Sequence, residues 1–138
     1  MPAKDFFHQA VRHALEKEGW IITHDPLMLR YDLGKLYVDL GAEKILTAER
    51  EGQKIAVEIK SFIQNSTISE FYTAVGQFIT YRTLLHKQYP EYNLYLAISL
   101  DTYTSFFAIE VVQEIIDAQQ LKLIIYEAQK ESINRWIP

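Results

Sequence analysis

The sequence predicts an α/β fold in which a mixed β-sheet is flanked by helices. Apolar side chains recur at spacings of three and four in residues 4–18 and 67–89, which is typical of helices that bury one face. Short segments of alternating apolar character lie between and after them and read as strands. Two strands joined by a short turn, then a helix and another strand, give a sheet with antiparallel and parallel pairs.

The first third of the chain is predicted to hold one helix and two strands. The helix over residues 4–18 ends at Gly19, and a short strand follows over residues 20–23. The pattern of residues 27–34 is ambiguous. Residues 37–50 read as one strand, which can bend at its glycine. Between the two strands, an Asp-Pro pair is interpreted as a turn.

The clearest strand covers residues 54–62 and follows a turn at Glu51-Gly52. Because successive side chains of a strand point to opposite faces, its residues divide into two sets. One face carries Ile55, Val57 and Ile59, and the other carries Ala56, Glu58 and Lys60. The turn predicts an antiparallel hairpin between this strand and the strand over residues 37–50.

The rest of the chain is predicted to complete the sheet. The long helix over residues 67–89 begins at a capping box of Thr67 and Glu70 and ends before Pro90. A strand over 94–99, a helix over 111–119 and a strand over 121–126 follow. We expect the apolar tail over residues 130–138 to pack against the body of the protein.

The composition indicates a globular protein and excludes several classes of site. The 138 residues predict a single domain over 1–138, with 49% hydrophobic and 23% charged residues. There is no cysteine, so disulfides and thiolate metal sites are excluded. No signal peptide is recognised, and no apolar run approaches the roughly 18 residues of a membrane span, so we expect a cytoplasmic protein. The net charge of -4 argues against a strongly basic DNA-binding protein.

Charged side chains on the apolar strand over 54–62 are the first candidates for chemistry. Glu58 and Lys60 are two residues apart and share a face. A carboxylate is an oxygen ligand suited to Mg²⁺, and a nearby lysine can orient or deprotonate an attacking water. Asp39 is embedded in an apolar stretch on the preceding strand, where the hairpin can bring it near Glu58. The alternative is that the charged face is only solvated surface.

The long helix adds a polar stripe directly after this strand. Gln77 and Tyr81 are four residues apart and therefore share a helix face, which we predict to lie beside the candidate site. Glu16 and Glu49 are candidates for a third carboxylate, although each fits a surface charge better. The four histidines show no pairing at metal-ligand spacing, so a zinc site is not expected.

The order of Asp39, then Glu58-Ile59-Lys60, then Gln77 with Tyr81 resembles the PD-(D/E)xK nuclease superfamily, whose RecB-like branch has a similar glutamine–tyrosine pair. Val38 stands where the superfamily pattern has proline. The resemblance implies a restriction-endonuclease-like fold. It also implies that Asp39 and Glu58 bind Mg²⁺, with Mn²⁺ as an alternative.

Several segments, in order, resemble the XisH family of fdxN-element excision-controlling factors. They are 10–15, 19–27, 37–43, 56–62, 74–78 and 135–137. This resemblance implies a role in the programmed removal of a DNA element, with DNA and a small XisI-type protein as partners; a homo-oligomer stays open.

Three functions remain after these observations. The first is a Mg²⁺-dependent endonuclease in which Asp39, Glu58, Lys60, Gln77 and Tyr81 form the site. The second is a catalytically idle regulatory or assembly subunit of a DNA recombination or excision complex, which the acidic charge and small size favour. The third is an α/β binding module whose charged strand face is only surface.

Overall fold

Eight strands and four α-helices form the described part of the protein. In the computed structural model, the backbone is described for residues 3–33, 36–40, 45–62 and 67–138, and side chains for 6–30, 45–62 and 68–138. The helices are α1 (Ala3–Lys17), α2 (Thr67–Gln88), α3 (Leu100–Ser105) and α4 (Glu110–Gln119), with a 3-10 turn at Phe106–Ala108. The strands are β1 (Ile21–His24), β2 (Leu29–Leu33), β3 (Leu36–Leu40), β4 (Ile45–Arg50), β5 (Gln53–Ile59), β6 (Tyr92–Ser99), β7 (Leu123–Glu127) and β8 (Ser132–Ile137).

Six of the strands form one mixed sheet in the order β1-β4-β5-β6-β7-β8. The pairs β5–β6 and β6–β7 are parallel, because α2 and the α3–α4 segment carry the chain back between them. The pairs β1–β4, β4–β5 and β7–β8 are antiparallel. β5 therefore lies inside the sheet, and the prediction of a mixed sheet flanked by helices is confirmed.

Two local features that the sequence predicts position these elements. α1 ends in a Schellman motif, in which the Gly19 N–H donates to Glu16 O and the Trp20 N–H donates to Leu15 O, at 3.0 and 3.1 Å. Gly19 has a φ of 88°, which a residue without a side chain adopts at little cost. Glu51 and Gly52 both have positive φ, so they form the two-residue turn that joins β4 to β5.

The sheet separates two hydrophobic clusters. The cluster under α2 and α4 contains Ala56 of β5 with Phe71, Phe78 and Phe107. The cluster under α1, on the other face of the sheet, contains Ile55, Val57 and Ile59 of β5 together with residues of α1 and of neighbouring strands. The predicted alternation of β5 is confirmed, and it places Glu58 on the face that α2 covers.

The prediction of one strand over residues 37–50 is wrong. β3 belongs to a separate two-stranded sheet with β2, whereas β4 belongs to the main sheet. The ambiguous segment 27–34 supplies β2, which pairs with β3 in antiparallel register. A β-strand pattern shows which residues alternate but does not name the partner strand, so the sequence could not distinguish one long strand from two.

Candidate functional site

Glu58 is buried in the middle of the sheet, one residue before the end of β5. It is 1% exposed, and its direct neighbours are Ile45 on β4 and Leu96 on β6, which are fully buried aliphatic residues. Burial of a carboxylate in such surroundings is unfavourable unless a cation, a metal ion or hydrogen bonds compensate. A buried carboxyl group at this position is therefore a candidate for chemistry.

Lys60 directly follows β5 and continues its alternation. Its backbone N–H donates to Ala97 O of β6 at 3.2 Å, which extends the parallel ladder by one residue. Lys60 is half-buried and lies two residues after Glu58, so the two side chains share a face. The pair marks the carboxyl end of the parallel strands, which is where open α/β sheets place their ligand sites.

α2 covers the face that carries Glu58, and Gln77 and Tyr81 lie on this helix. Tyr81 is partly buried against the cluster that includes Phe71 and Phe78. The Gln77 Oε1 atom is buried and has no hydrogen-bond donor among the described residues. A buried amide oxygen without a donor is rare in native proteins and often marks a functional position. The polar stripe predicted from the sequence thus contains a side chain with an unused acceptor.

Asp39 lies on β3, where its Cα pairs with that of Arg30 on β2. It is not on β4, the strand adjacent to Glu58, so the hairpin that was predicted to bring the two carboxylates together is not formed by these strands. The Asp39 side chain lies outside the described residues, and its approach to Glu58 stays a prediction. Asp39 is the candidate for a second carboxylate ligand, because Mg²⁺ is bound in proteins through one or two carboxylates.

The sequence profile of XisH proteins matches residues 1–134 of this chain. The chain belongs to the XisH family. Its sequence resemblance to that family is thereby confirmed.

Two crystal structures are similar to this XisH-family chain over almost its whole length. An XisH family protein from Nostoc punctiforme is 50% identical, with a TM-score of 0.88, and the match covers 97% of this chain and 100% of that one. An fdxN element excision controlling factor protein from Anabaena variabilis is 49% identical, also with a TM-score of 0.88, over 97% and 99% of the two chains. No curated protein matches the chain significantly.

The candidates for a third carboxylate lie apart from Glu58 in this XisH-family chain. Glu49 lies four residues along β4 from Ile45, the direct neighbour of Glu58, which is about 13 Å at the usual rise of a strand. Its Oε1 atom forms an ion pair with Lys54 Nζ at 3.5 Å. Glu16 is exposed on α1. Among the side chains that the structure describes, which exclude Asp39, no three histidine or acidic groups gather as metal ligands would. Of the acidic candidates with described side chains, Glu58 alone is buried.

A polar network that the sequence analysis missed lies at the same end of the sheet. His8 Nε2 and Arg12 Nη1, on α1, lie 2.8 and 2.7 Å from the Asp25 carboxylate. Asp25 directly follows β1, whose end pairs His24 with Thr47 of β4. From the sequence alone, Asp25 indicates only a turn with Pro26. The sequence feature that could have indicated this network is the four-residue spacing of His8 and Arg12, which places both on one helix face.

Thr47 extends this polar region into the sheet. It is fully buried and makes hydrogen bonds with Thr23 Oγ1 at 2.6 Å and His24 Nδ1 at 2.9 Å. Thr47 is two residues from Ile45, the direct neighbour of Glu58, and therefore lies on the same face of the sheet. Polar groups from β1 and β4 thus approach the Glu58 end of the site.

None of the described helices combines the length and the apolar composition that a membrane crossing needs.

Proposed function

We propose that this XisH-family chain is a Mg²⁺-dependent endonuclease with a restriction-endonuclease-like fold that acts in the controlled excision of a DNA element. The observation that carries the proposal is the burial of Glu58, at 1% exposure, on the interior strand β5 with Lys60 two residues later. The six-stranded mixed sheet between helices is compatible with that fold. The name of the Anabaena variabilis relative, an fdxN element excision controlling factor, supports the biological role.

The residues of the site would divide the chemistry between them. Asp39 and Glu58 would hold the metal ion, which when bound polarises the scissile phosphate and stabilises the leaving oxygen. Lys60 would orient the attacking water as the ammonium, or deprotonate it as the neutral amine, at the carboxyl end of β5. Gln77 would hold Lys60 or a phosphate oxygen from α2, and Tyr81 would support that helix face. The buried aliphatic neighbours of Glu58 would keep bulk water away from the reacting groups.

The charge of the chain affects how DNA would reach this site. A net charge of -4 gives little attraction for the phosphate backbone. An XisI-type partner protein would supply the basic surface, so we expect the complex to bind DNA more tightly than the chain alone. Exposed apolar side chains on α2 and at the start of α4, including Ile68, Tyr72 and Val111, are available for such a contact.

DNA cleavage by the purified complex tests the proposal. The wild-type complex should nick or cut DNA in Mg²⁺ or Mn²⁺ and should not do so in chelator. Glu58→Gln should abolish cleavage, because it removes the ligand charge and keeps the shape, and Lys60→Ala should lower the rate about 100-fold or more. Glu49→Gln is the matched control, because it makes the same change on a residue that pairs with Lys54. Cleavage that survives Glu58→Gln at the wild-type rate would contradict the assignment.

The alternative function is a catalytically idle regulatory or assembly subunit of the excision complex. The acidic net charge favours it, since a nuclease that acts alone usually carries a basic DNA-binding surface. In that case the wild-type complex would bind DNA or its partner without cutting, and Glu58→Gln would change neither binding nor excision. The two functions therefore predict opposite results for one variant.

A further inference from the structure

A cavity of about 220 Å³ lies on the sheet face that α1 covers, beyond the last turn of that helix. It is lined by Trp20, Arg50, Gln53, Ile55, Tyr95 and Trp136. Ile55, which lines the cavity, is three residues before Glu58 on β5, about 10 Å along the strand, and the two side chains are on opposite faces of the sheet. The cavity is therefore distinct from the candidate nuclease site.

Three aromatic rings give the cavity its shape. The ring centroids of Trp20 and Trp136 are 5.7 Å apart with an interplanar angle of 31°. Tyr95 meets Trp136 edge to face, at 5.2 Å and 89°. These contacts hold the rings in fixed relative positions, since each packs against the next. Rigid aromatic rings in a concave site are suited to a flat ring that stacks against them.

The charged side chain that lines the cavity, Arg50, is positive, and Gln53 adds an amide group. The Arg50 guanidinium lies 4.8 Å from the Trp20 ring centroid and donates from Nη1 to Glu18 O at 2.7 Å. A guanidinium carries five N–H donors, so this bond leaves others for an anion. Lys122 Nζ lies 5.9 Å from the centroid of Tyr95 and adds a second positive charge nearby. A cationic ligand such as a quaternary ammonium is disfavoured here, although aromatic cages often bind one.

Trp20 provides an independent observation. It is 4% exposed, and its Nε1–H has no acceptor among the described residues, whereas Trp136 Nε1–H donates to Glu18 Oε1 at 3.2 Å. A buried donor that lacks an acceptor is unfavourable. A ligand with an acceptor on the edge of a flat ring is one group that would satisfy it.

We propose that this cavity binds one nucleotide, with the base against the aromatic rings and the phosphate at Arg50. The volume of the cavity suits a single ring system better than a drug-sized ligand, whose sites begin at about 300 Å³. A base supplies both the flat surface and edge acceptors, and its phosphate supplies the negative charge. The nucleotide is either a free nucleoside monophosphate or an unpaired nucleotide of a DNA strand.

Tryptophan fluorescence tests this directly, because the chain has two tryptophans and both line the cavity. Addition of a deoxynucleoside monophosphate or a single-stranded oligonucleotide should quench the emission in a saturable way. If the monophosphate quenches the emission, a free nucleotide is sufficient for binding. If only the oligonucleotide quenches it, the ligand is a nucleotide within a DNA strand. Emission that is unaffected by both at millimolar concentration overturns the proposal. The alternative occupant of the cavity would then be an aromatic side chain of a protein partner.

Two variants with the same charge change make the test specific. Arg50→Gln should weaken nucleotide binding about tenfold, because a charge-assisted bond to phosphate is lost. Lys54→Gln should leave it unchanged, since Lys54 lies on the opposite sheet face, beside Glu49. Equal affinities for the two variants would overturn the proposal.

If Arg50→Gln lowers the melting temperature so far that binding cannot be measured, Trp136→Leu replaces it. It should weaken binding about tenfold, since one stacking surface is lost, and the Trp20 emission still reports binding. Unchanged affinity in this variant overturns the proposal. Glu58→Gln protein should bind nucleotide as the wild type does, so the cavity and the nuclease site can fail separately.

Discussion

Two buried polar side chains, Glu58 and Tyr126, lie on opposite faces of the sheet, and their burial differs in how unfavourable it is. Glu58 is 1% exposed among aliphatic neighbours on the α2 face. Tyr126 is fully buried on the α1 face, and its hydroxyl has no hydrogen-bond partner among the described residues. A neutral phenol tolerates such a place better than a carboxylate, because it carries no charge at neutral pH. Burial accordingly raises the pKa of Tyr126 well above its ordinary value.

This raised pKa predicts a loss of stability in alkali. The unfolded chain releases the Tyr126 proton near pH 10, whereas the native state retains it. The contribution of Tyr126 to the free energy of unfolding is therefore complete below about pH 10 and falls as the pH rises. The loss should be about 1.4 kcal/mol per pH unit from this residue. Tyr126→Phe should remove that part of the pH dependence and keep the neutral-pH stability within about 1 kcal/mol.

Urea unfolding over a range of alkaline pH measures the effect. Tyr72→Phe is the matched control, because Tyr72 is 63% exposed. An alkaline loss in Tyr126→Phe as steep as in the wild type would show that the phenol ionises as readily in the native state as in the unfolded chain.

At the scale of elements, the β2–β3 hairpin is attached to the rest of the protein by a few specific contacts. The Gln88 side chain, at the end of α2, accepts from the Arg30 N–H at 3.1 Å and donates to Arg30 O at 2.6 Å. Leu29 is buried in the cluster under α2, and the Leu27 N–H donates to Ile45 O of β4 at 2.8 Å. Because β3 carries Asp39, these contacts also set where that carboxylate can lie relative to the main sheet.

Gln88→Ala should loosen this hairpin without unfolding the protein. Two hydrogen bonds are lost, each worth about 1 kcal/mol, so local opening of β2 should increase roughly 30-fold. Hydrogen exchange at the Arg30 amide measures it, and the exposed neighbour Lys87→Ala should leave that exchange rate unchanged. If the two variants protect Arg30 equally, another contact holds β2 to α2.

At the scale of the whole molecule, the described chain forms three layers, with α1 on one face of the sheet and α2 with α4 on the other. The second interface is centred on aromatic side chains. Phe107 is fully buried, and its ring centroid lies 5.6, 5.5 and 5.9 Å from those of Phe62, Phe71 and Phe106. Phe62 follows β5 and Phe71 lies on α2, so this aromatic cluster joins the elements that carry Glu58 and Gln77.

Phe107→Ala should therefore cost about 3–5 kcal/mol of stability, because it leaves a cavity where several elements meet. Chemical denaturation measures the change in the free energy of unfolding. Val111→Ala, at a position that is 54% exposed, should change it by less than about 0.5 kcal/mol. A loss below 1 kcal/mol in Phe107→Ala would mean that the cluster relaxes to fill the space.

The sequence by itself determined what depends on neighbouring residues. Helix periodicity located α1, α2 and α4. The Glu51-Gly52 pair predicted a turn, and both of its residues have positive φ. Alternation along β5 put Glu58 on the face opposite Ile55. The turn and alternation are local, because side-chain spacing and backbone preference act within a few residues. The same local patterns identify Glu58, Lys60, Gln77 and Tyr81 as candidates.

Only the tertiary structure decided which distant residues meet. It paired the strand of Asp39 with β2 instead of β5, and it brought Asp25 to His8 and Arg12. It also placed Trp20 beside Trp136, which lies in the last strand. Strand partners and ring contacts arise from the packing of elements far apart in the chain, and the period-two pattern of a strand is satisfied by more than one partner, so no local signal selects among them.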